Sequence, residues 1–299
     1  MKIAIDIQAC QSEISSKRGI GRYSSNFIKA LIKNYPDNHY YLFANSGARD
    51  IQCEFTDELY SEKYNVNYIK WYSPGLLNDD CISKNLRNKI ARQIRSYMLS
   101  ELNLDIIVIT SFLEGYLDNS ITDLDFSYQL PIVCCIFYDL IPLLNPKEYL
   151  NNNQEYIKFY NQKLEEIKNF DLLLAISESA RLEAIKHLNF DHKRIYNILS
   201  SCDKDKFHNL KSKKFSKFQY LENYILYTGA VDPRKNLKSL IQAYASLPTK
   251  LIVKYKLVIA GSISEDEKKL IFLWSDECNL PSSYLEFLGY VSDEELCFL

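Results

Sequence analysis

The chain has 299 residues, 47% of them hydrophobic. That exceeds one typical domain of roughly 100–200 residues, so two domains are expected. Lys+Arg 36 against Asp+Glu 38 gives a net charge of −2. This excludes the strongly basic field that holds nucleic acid, and local lysine clusters read as solvated faces.

In chain order, residues 2–8 predict a strand, and Ala9 to Gly21 a polar loop. Tyr23, Phe27, Ile28, Leu31, Ile32 and Tyr35 recur at helical spacing. Tyr40–Asn45 predicts the second strand. Residues 50–80 read as irregular, with Pro74-Gly75 as a turn. Lys84–Leu102 predicts a helix, with Leu86, Ile90, Ile94, Tyr97 and Met98 on one face. Asp105–Ser111 and Pro131–Tyr138 are continuous apolar runs, as strands buried on both faces require. Asn152–Asn169 predicts a helix and Asp171–Ile176 a buried strand. Ser177 or Ser179 can cap the helix that follows, and Arg194–Ser201 is the last strand of this half.

The lysine-rich stretch from Asp203 to about Gln219 reads as a linker. The strand–helix rhythm then restarts with strand Tyr224–Thr228, helix Asn236–Leu247, strand Tyr255–Ala260, helix Glu265–Cys278 and strand Tyr284–Leu288. This alternation predicts an α/β fold with parallel sheets. Domains are expected at 1–209 and 210–299. Ser292-Asp293-Glu294-Glu295 is a capping box. Only Leu296, Cys297, Phe298 and Leu299 follow it. One turn does not repay helix nucleation, so the second domain is expected to be incomplete.

Eight cysteines, at 10, 53, 81, 134, 135, 202, 278 and 297, include no C-x-x-C pair. Met1-Lys2 leads straight into Ile3-Ala4-Ile5-Asp6-Ile7, without the apolar stretch of a signal peptide. A reduced, cytoplasmic chain is expected. No run approaches the ~18 apolar residues of a membrane span, and peripheral contact with the inner face of the plasma membrane stays open. His39, His187, His192 and His208 all fall away from predicted strand ends and read as surface residues. No Ser–His–Asp or H-E-x-x-H set can be built from them, which removes hydrolase and metalloprotease readings.

Four segments carry chemistry. Lys17-Arg18-Gly19-Ile20-Gly21-Arg22-Tyr23 joins the first strand to the first helix. Glycines let backbone amides approach phosphate, and a helix N-terminus favours an anion; an ordinary turn is the alternative. A dinucleotide fingerprint fails, because Ser24 stands where its third glycine belongs and no acidic residue closes Tyr40–Asn45. Thr228-Gly229-Ala230-Val231-Asp232-Pro233-Arg234-Lys235-Asn236 follows the first strand of the second half and opens a helix. Cations there oppose the helix dipole, which fits a bound diphosphate better than a solvated basic turn. Tyr138-Asp139-Leu140-Ile141-Pro142 and Thr110-Ser111-Phe112-Leu113-Glu114-Gly115 each end a buried strand with a carboxylate. Either carboxylate can be a cap or face a cleft.

Together with Ile5-Asp6-Ile7-Gln8-Ala9, Ala175-Ile176-Ser177-Glu178-Ser179 and Gly289-Tyr290-Val291-Ser292-Asp293-Glu294-Glu295-Leu296, these ordered segments resemble the group 1 retaining glycosyltransferases of the GT-B fold. The likeness runs along the whole chain and is strongest to mannosyltransferase-like bacterial members that build surface polysaccharide. It implies two Rossmann-like, doubly wound domains facing a cleft, the first for acceptor and the second for a nucleotide sugar. It implies transfer of a hexose, with mannose from GDP-mannose favoured, to a lipid-linked or oligosaccharide acceptor, with retention. It implies no cofactor and no metal, since cations and helix N-termini take the charge of the leaving diphosphate.

By the same resemblance Lys235 contacts the donor diphosphate and Arg234 shares its charge. Gly19, Gly21 and Arg22 close on the phosphates, and Glu114 and Ser177 lie on the acceptor side. Asp139 and Tyr138 are the catalytic candidates, Tyr138 standing where many relatives carry histidine. The family's donor-sugar motif falls beyond Leu299. The rival expectation is a truncated, non-catalytic remnant of the fold that binds a ligand or partner.

Overall fold

A computed structural model describes residues 1–16, 18–51, 55, 59, 63–74, 81–150, 153–201, 207, 216–218 and 220–299, for 81–84 the backbone alone. The chain forms two compact units, Met1–Ser201 and Cys202–Leu299. Most of the expected linker from Asp203, together with Lys17, Gly75, Cys53, Cys202 and His208, lies outside the described residues.

The first unit is built on seven parallel strands: β1 (Lys2–Asp6), β2 (His39–Asn45), β3 (Asn65–Trp71), β4 (Ile106–Ile109), β5 (Ile132–Phe137), β6 (Leu172–Ala175) and β7 (Ile195–Asn197). Their order is β3-β2-β1-β4-β5-β6-β7. Residues alternate across the sheet, as strand geometry requires. Ile3, Ile5 and Ile7 pack into one apolar layer with Ile28 and Ile32. Ala4 faces the other layer, with Ile107, Ile109 and Val133. Two cores on two faces are what a doubly wound sheet needs. The order reverses between β1 and β4, so the ligand crevice of an open parallel sheet is expected beyond their carboxyl ends.

The helices of this unit are α1 (Gln8–Gln11), α2 (Gly19–Asn34), α3 (Cys81–Glu101), α4 (Ile141–Leu144), α5 (Pro146–Tyr149), α6 (Gln154–Glu166) and α7 (Glu178–Leu188). Asn153 caps α6 by accepting from the Tyr156 amide, and Ser177 caps α7 by accepting from Ala180. Ser179 instead donates to Glu183.

Two local expectations are corrected, and the orientation of a third element is added. Residues 65–71, read as irregular, form β3, paired along its length with β2. Asn65-Val66-Asn67-Tyr68 alternates weakly, because β3 is an edge strand with one partner. The loop expected from Ala9 to Gly21 contains α1 and the first turn of α2. On α3 the apolar stripe points outward: Leu86, Ile90, Ile94 and Tyr97 are exposed. The face turned inward carries Arg87, Ala91, Arg95, Ser96 and Leu99.

The second unit holds β8 (Tyr224–Thr228), β9 (Lys256–Ala260) and β10 (Leu285–Gly289), parallel in the order β10-β9-β8. Its helices are α8 (Leu237–Ala245), α9 (Thr249–Lys254), α10 (Glu265–Glu277) and α11 (Asp293–Phe298). Leu237, Ile241 and Tyr244 of α8 pack with Ile271 of α10 on Leu257 and Ile259. The expected capping box at Ser292 is present, with Glu295 reaching back to the Ser292 amide at 2.8 Å. Phe298 stacks on Phe218, and the Tyr224 hydroxyl donates to the Leu299 carbonyl.

Candidate functional site

The crevice end of the first unit brings three of the expected segments together. Gly21 lies in the first turn of α2, and its amide donates to the Ser15 carbonyl at 3.0 Å. A Cβ at Gly21 would collide with Ser15 O and Ser16 Cα, whereas one at Gly19 would meet open space. The two glycines therefore differ. Gly21 is needed for close backbone approach, and Gly19 is not. Gly21→Ala is expected to cost about 1–3 kcal/mol in urea unfolding, with Gly19→Ala close to neutral. Equal midpoints for the two variants would refute this. Arg22 is exposed on the same turn.

Ser15 continues the connection, donating to Glu114 Oε1 at 2.7 Å, and Ser111 donates to the same oxygen at 3.1 Å. Burial pushes the Glu114 carboxyl above the ordinary glutamate range, and the two serines offset only part of that. The sign follows from linkage. The native state holds this proton more tightly than the unfolded chain, so Glu114 costs stability as pH rises through its raised native value. Glu114→Gln keeps an acceptor for both serines and removes the charge. It is expected to gain stability over wild type between pH 5 and pH 8 in urea titrations; a pH-independent difference would contradict the assignment.

Tyr138 follows β5. Its hydroxyl donates to the Thr110 carbonyl at 3.1 Å and pairs with Ser24 Oγ at 3.1 Å. Its ring meets Tyr23 edge-on at 5.8 Å. Burial raises its pKa well beyond the usual phenol value. Tyr138 thus stays a neutral phenol that ties α2 to β4. Asp139 sits one residue on, and its Oδ1 accepts from the Ile141 amide at 3.0 Å. Ser177 is committed to capping α7 at 3.1 Å.

Behind these residues lies a network that the sequence reading missed. The Asp6 carboxylate, 1% exposed at the end of β1, receives the Arg95 guanidinium at 2.7 Å. Arg95 also donates to the carbonyls of Thr122 and Asp123, each at 2.9 Å. Gln8 donates to Asp6 and to the Ile121 carbonyl, and Asn45 donates to Gln8. The signal was present in the sequence: Arg87-x-x-x-Ala91-x-x-x-Arg95-x-x-x-Leu99 is a helical stripe that buries arginine.

In the second unit, β8 and β9 run into Gly229 and Gly261, and β10 ends on Gly289. Gly261 has φ +159°, and a Cβ there would strike the Gly229 carbonyl, so the two backbones meet closely at the strand ends. Arg234 and Lys235 lie in a 3₁₀ turn, Pro233–Lys235, separated from α8 by Asn236 at φ +51°. Asp232 grips Arg234 in a fork, accepting from Nε at 3.0 Å and from Nη2 at 2.9 Å. Lys235 differs. It is exposed, its stem lies 4.0 Å from a Cβ built on Gly229, and its ammonium meets no carboxylate among the described residues. Glycine backbone beside an uncompensated cation suits an anionic ligand.

His39, which opens β2, and His187 and His192 are exposed. Cys134 and Cys135 are buried free thiols, and burial pushes Cys134 up to about 11. Among the described residues no group of three or more His, Cys, Asp or Glu is placed to hold a metal, and no helix is long and apolar enough to cross a membrane.

Residues 209–299 match the model of the glycosyl transferases group 1. The whole chain aligns at 29% identity over 310 residues with the serotype-specific mannosyltransferase WbdA of Escherichia coli, covering 36% of that protein. The O-antigen chain mannosyltransferase B of Escherichia coli is 28% identical over 178 residues, 58% of this chain and 45% of its own length. The chain thus spans less than half the length of these relatives. Among solved structures, Anabaena HepE in complex with UDP and glucose superposes with a TM-score of 0.58 at 15% identity, over 99% of this chain and 71% of HepE. WaaG, a glycosyltransferase involved in lipopolysaccharide biosynthesis, gives 0.57 at 13% identity, over 99% of this chain and 72% of WaaG. These likenesses identify the fold as GT-B, and residues 209–299 match the group 1 glycosyl transferases.

Proposed function

We propose that this chain belongs to a retaining hexosyltransferase that moves mannose from GDP-mannose to a lipid-linked or oligosaccharide acceptor in surface-polysaccharide synthesis. The observation that carries the proposal is the uncompensated Lys235 beside the Gly229–Gly261 backbone, within the segment matched to the family. That cation would take the charge of the leaving diphosphate, and the second unit would bind the donor. Mannose is favoured by the names of the relatives. In the first unit Asp139 is the carboxylate assigned to the reacting sugar. Glu114, held by Ser15 and Ser111, and Tyr138 would position the acceptor side.

The test is transfer. The chain is incubated with radiolabelled GDP-mannose, UDP-glucose or UDP-galactose and a lipid-linked oligosaccharide. Label should move from GDP-mannose with its anomeric configuration kept. Calorimetric GDP binding with no transfer from any donor would favour the ligand-binding remnant instead.

A lipid-linked acceptor also requires work at a membrane surface. We infer peripheral contact through α3, whose Leu86, Ile90, Ile94 and Tyr97 form an outward apolar stripe beside exposed Lys89. Ile90→Glu with Ile94→Glu should lower partitioning onto anionic phosphatidylglycerol vesicles about tenfold in flotation. Unchanged partitioning would remove this contact.

A further inference from the structure

A cavity of about 420 Å³ opens in the first unit between the amino-terminal half of α3 and the length of α6. Neither Asp139 nor Glu114 lines it. Its volume falls within the range of small-molecule sites. One wall is aromatic: the Tyr116 ring lies 5.5 Å from Phe159 and 4.7 Å from Tyr156. The lining also holds the side-chain amides of Asn85, Asn88 and Gln162, of which Asn88 accepts from Arg87 at 3.1 Å and Gln162 donates to Glu166 at 3.0 Å, each keeping further hydrogen-bonding capacity.

The floor is ionic but closed on itself. Lys163 bonds to Asp123 and donates to Thr122 Oγ1 at 2.8 Å, with its ammonium 4.4 Å from the Phe112 ring centre. Arg92 pairs with Glu166 at 3.3 Å. An occupant therefore need not bring charge to satisfy the floor, while Lys89, Lys158 and Glu155 add charged hydrogen-bonding groups to the rest of the lining. A ring face for C–H groups, with amide, ammonium and carboxylate groups for hydroxyls over a paired base, together suit a sugar.

We propose that this cavity is a saccharide subsite, taking a neutral stretch of the acceptor chain beyond the sugar that receives the hexose. The assignment to an acceptor rests on the glycosyltransferase reading above; the binding of saccharide does not. The cavity would grip a growing polysaccharide by its interior units while its end is extended. Affinity should then rise with acceptor length.

The experiment titrates methyl α-mannoside, α-linked mannotriose, inorganic phosphate and GDP into the full chain, read by NMR. Mannotriose should bind more tightly than the monosaccharide. Tyr116→Ala should weaken mannotriose about tenfold, as lost ring stacking predicts. Tyr116→Phe keeps the ring face and should retain wild-type affinity. Gln162→Ala, an exposed change, should weaken binding without disturbing the fold, and unaltered fluorescence of Trp71, buried inside the first unit, checks folding in every variant. Equal mannotriose affinity in wild type, Tyr116→Ala and Gln162→Ala would overturn the proposal. Absence of trisaccharide binding, or displacement of mannotriose by phosphate, would overturn it as well. GDP failing to bind would sink the donor reading and leave the saccharide result standing.

Discussion

Lys235→Ala is expected to weaken GDP binding about 10- to 100-fold, because hydrogen bonds to charged groups contribute about 1.5–3 kcal/mol. Arg234→Ala is expected to cost much less, although the two cations are sequence neighbours. The fork from Asp232 already offsets the Arg234 charge and fixes both of its edges. A diphosphate gains little from a guanidinium that would first have to leave a carboxylate. Lys235 has no such commitment, and its stem lies against Gly229, where backbone approach is closest. Asp232→Asn therefore makes a sharper third variant. It frees the guanidinium and should strengthen GDP binding, with the gain fading as salt screens the new charge. Calorimetry at two ionic strengths reads all three. Equal losses from Lys235→Ala and Arg234→Ala would retire the distinction, and no loss from either would retire the diphosphate role.

Much of the architecture was legible in the sequence, for a physical reason. Strands buried on both faces must be continuously apolar, so Ile106–Ile109, Ile132–Phe137 and Leu172–Ala175 announce themselves. Caps are local chemistry, and Ser177 and Ser292 were readable as such. The failures share one cause: each depended on a partner distant in the sequence. Strand β3 has a single neighbour, and its weak alternation means little without β2 beside it. Helix α3 was read correctly as amphipathic, but periodicity does not say which face turns inward. Arg95 is buried because Asp6, 89 residues away, waits for it. The glycines at 19 and 21 look equivalent in the chain and separate only when Ser15 and Ser16 fold against one of them. The candidate site follows the same division. Its residue types were visible, but the engagement of Arg234 and the closed floor beneath Tyr116 were not.

The Asp6–Arg95 pair should be the most sensitive point of the first unit. Removing one partner of a buried ion pair costs about 3–5 kcal/mol, because the survivor keeps its desolvation penalty without its counter-charge. Arg95→Met strands Asp6 with only Gln8 as a donor among the described residues, through its amide at 3.0 Å and its side chain at 2.9 Å. It also takes a donor from each of the Thr122 and Asp123 carbonyls, so the segment that carries Asp123 to the cavity floor loses its anchor. Asp6→Asn leaves the guanidinium buried and uncompensated. The double variant Asp6→Asn/Arg95→Met leaves no buried ion, so its loss should fall short of the sum of the single losses by about 0.5–3 kcal/mol. A chain of two units need not unfold in one step, so a probe inside the first unit is needed. Trp71 supplies it, fully buried at the end of β3 and stacked on Phe43 at 6.2 Å. Trp274, the other tryptophan, is in the second unit, and Trp274→Phe silences it. Urea unfolding followed by Trp71 fluorescence in that background should show both single variants strongly destabilised and the double variant partly rescued. Strict additivity would mean that the pair does not act as a unit. Because Arg95 holds the loop leading to Asp123, the single variants that still fold should also lose mannotriose affinity while GDP affinity is spared.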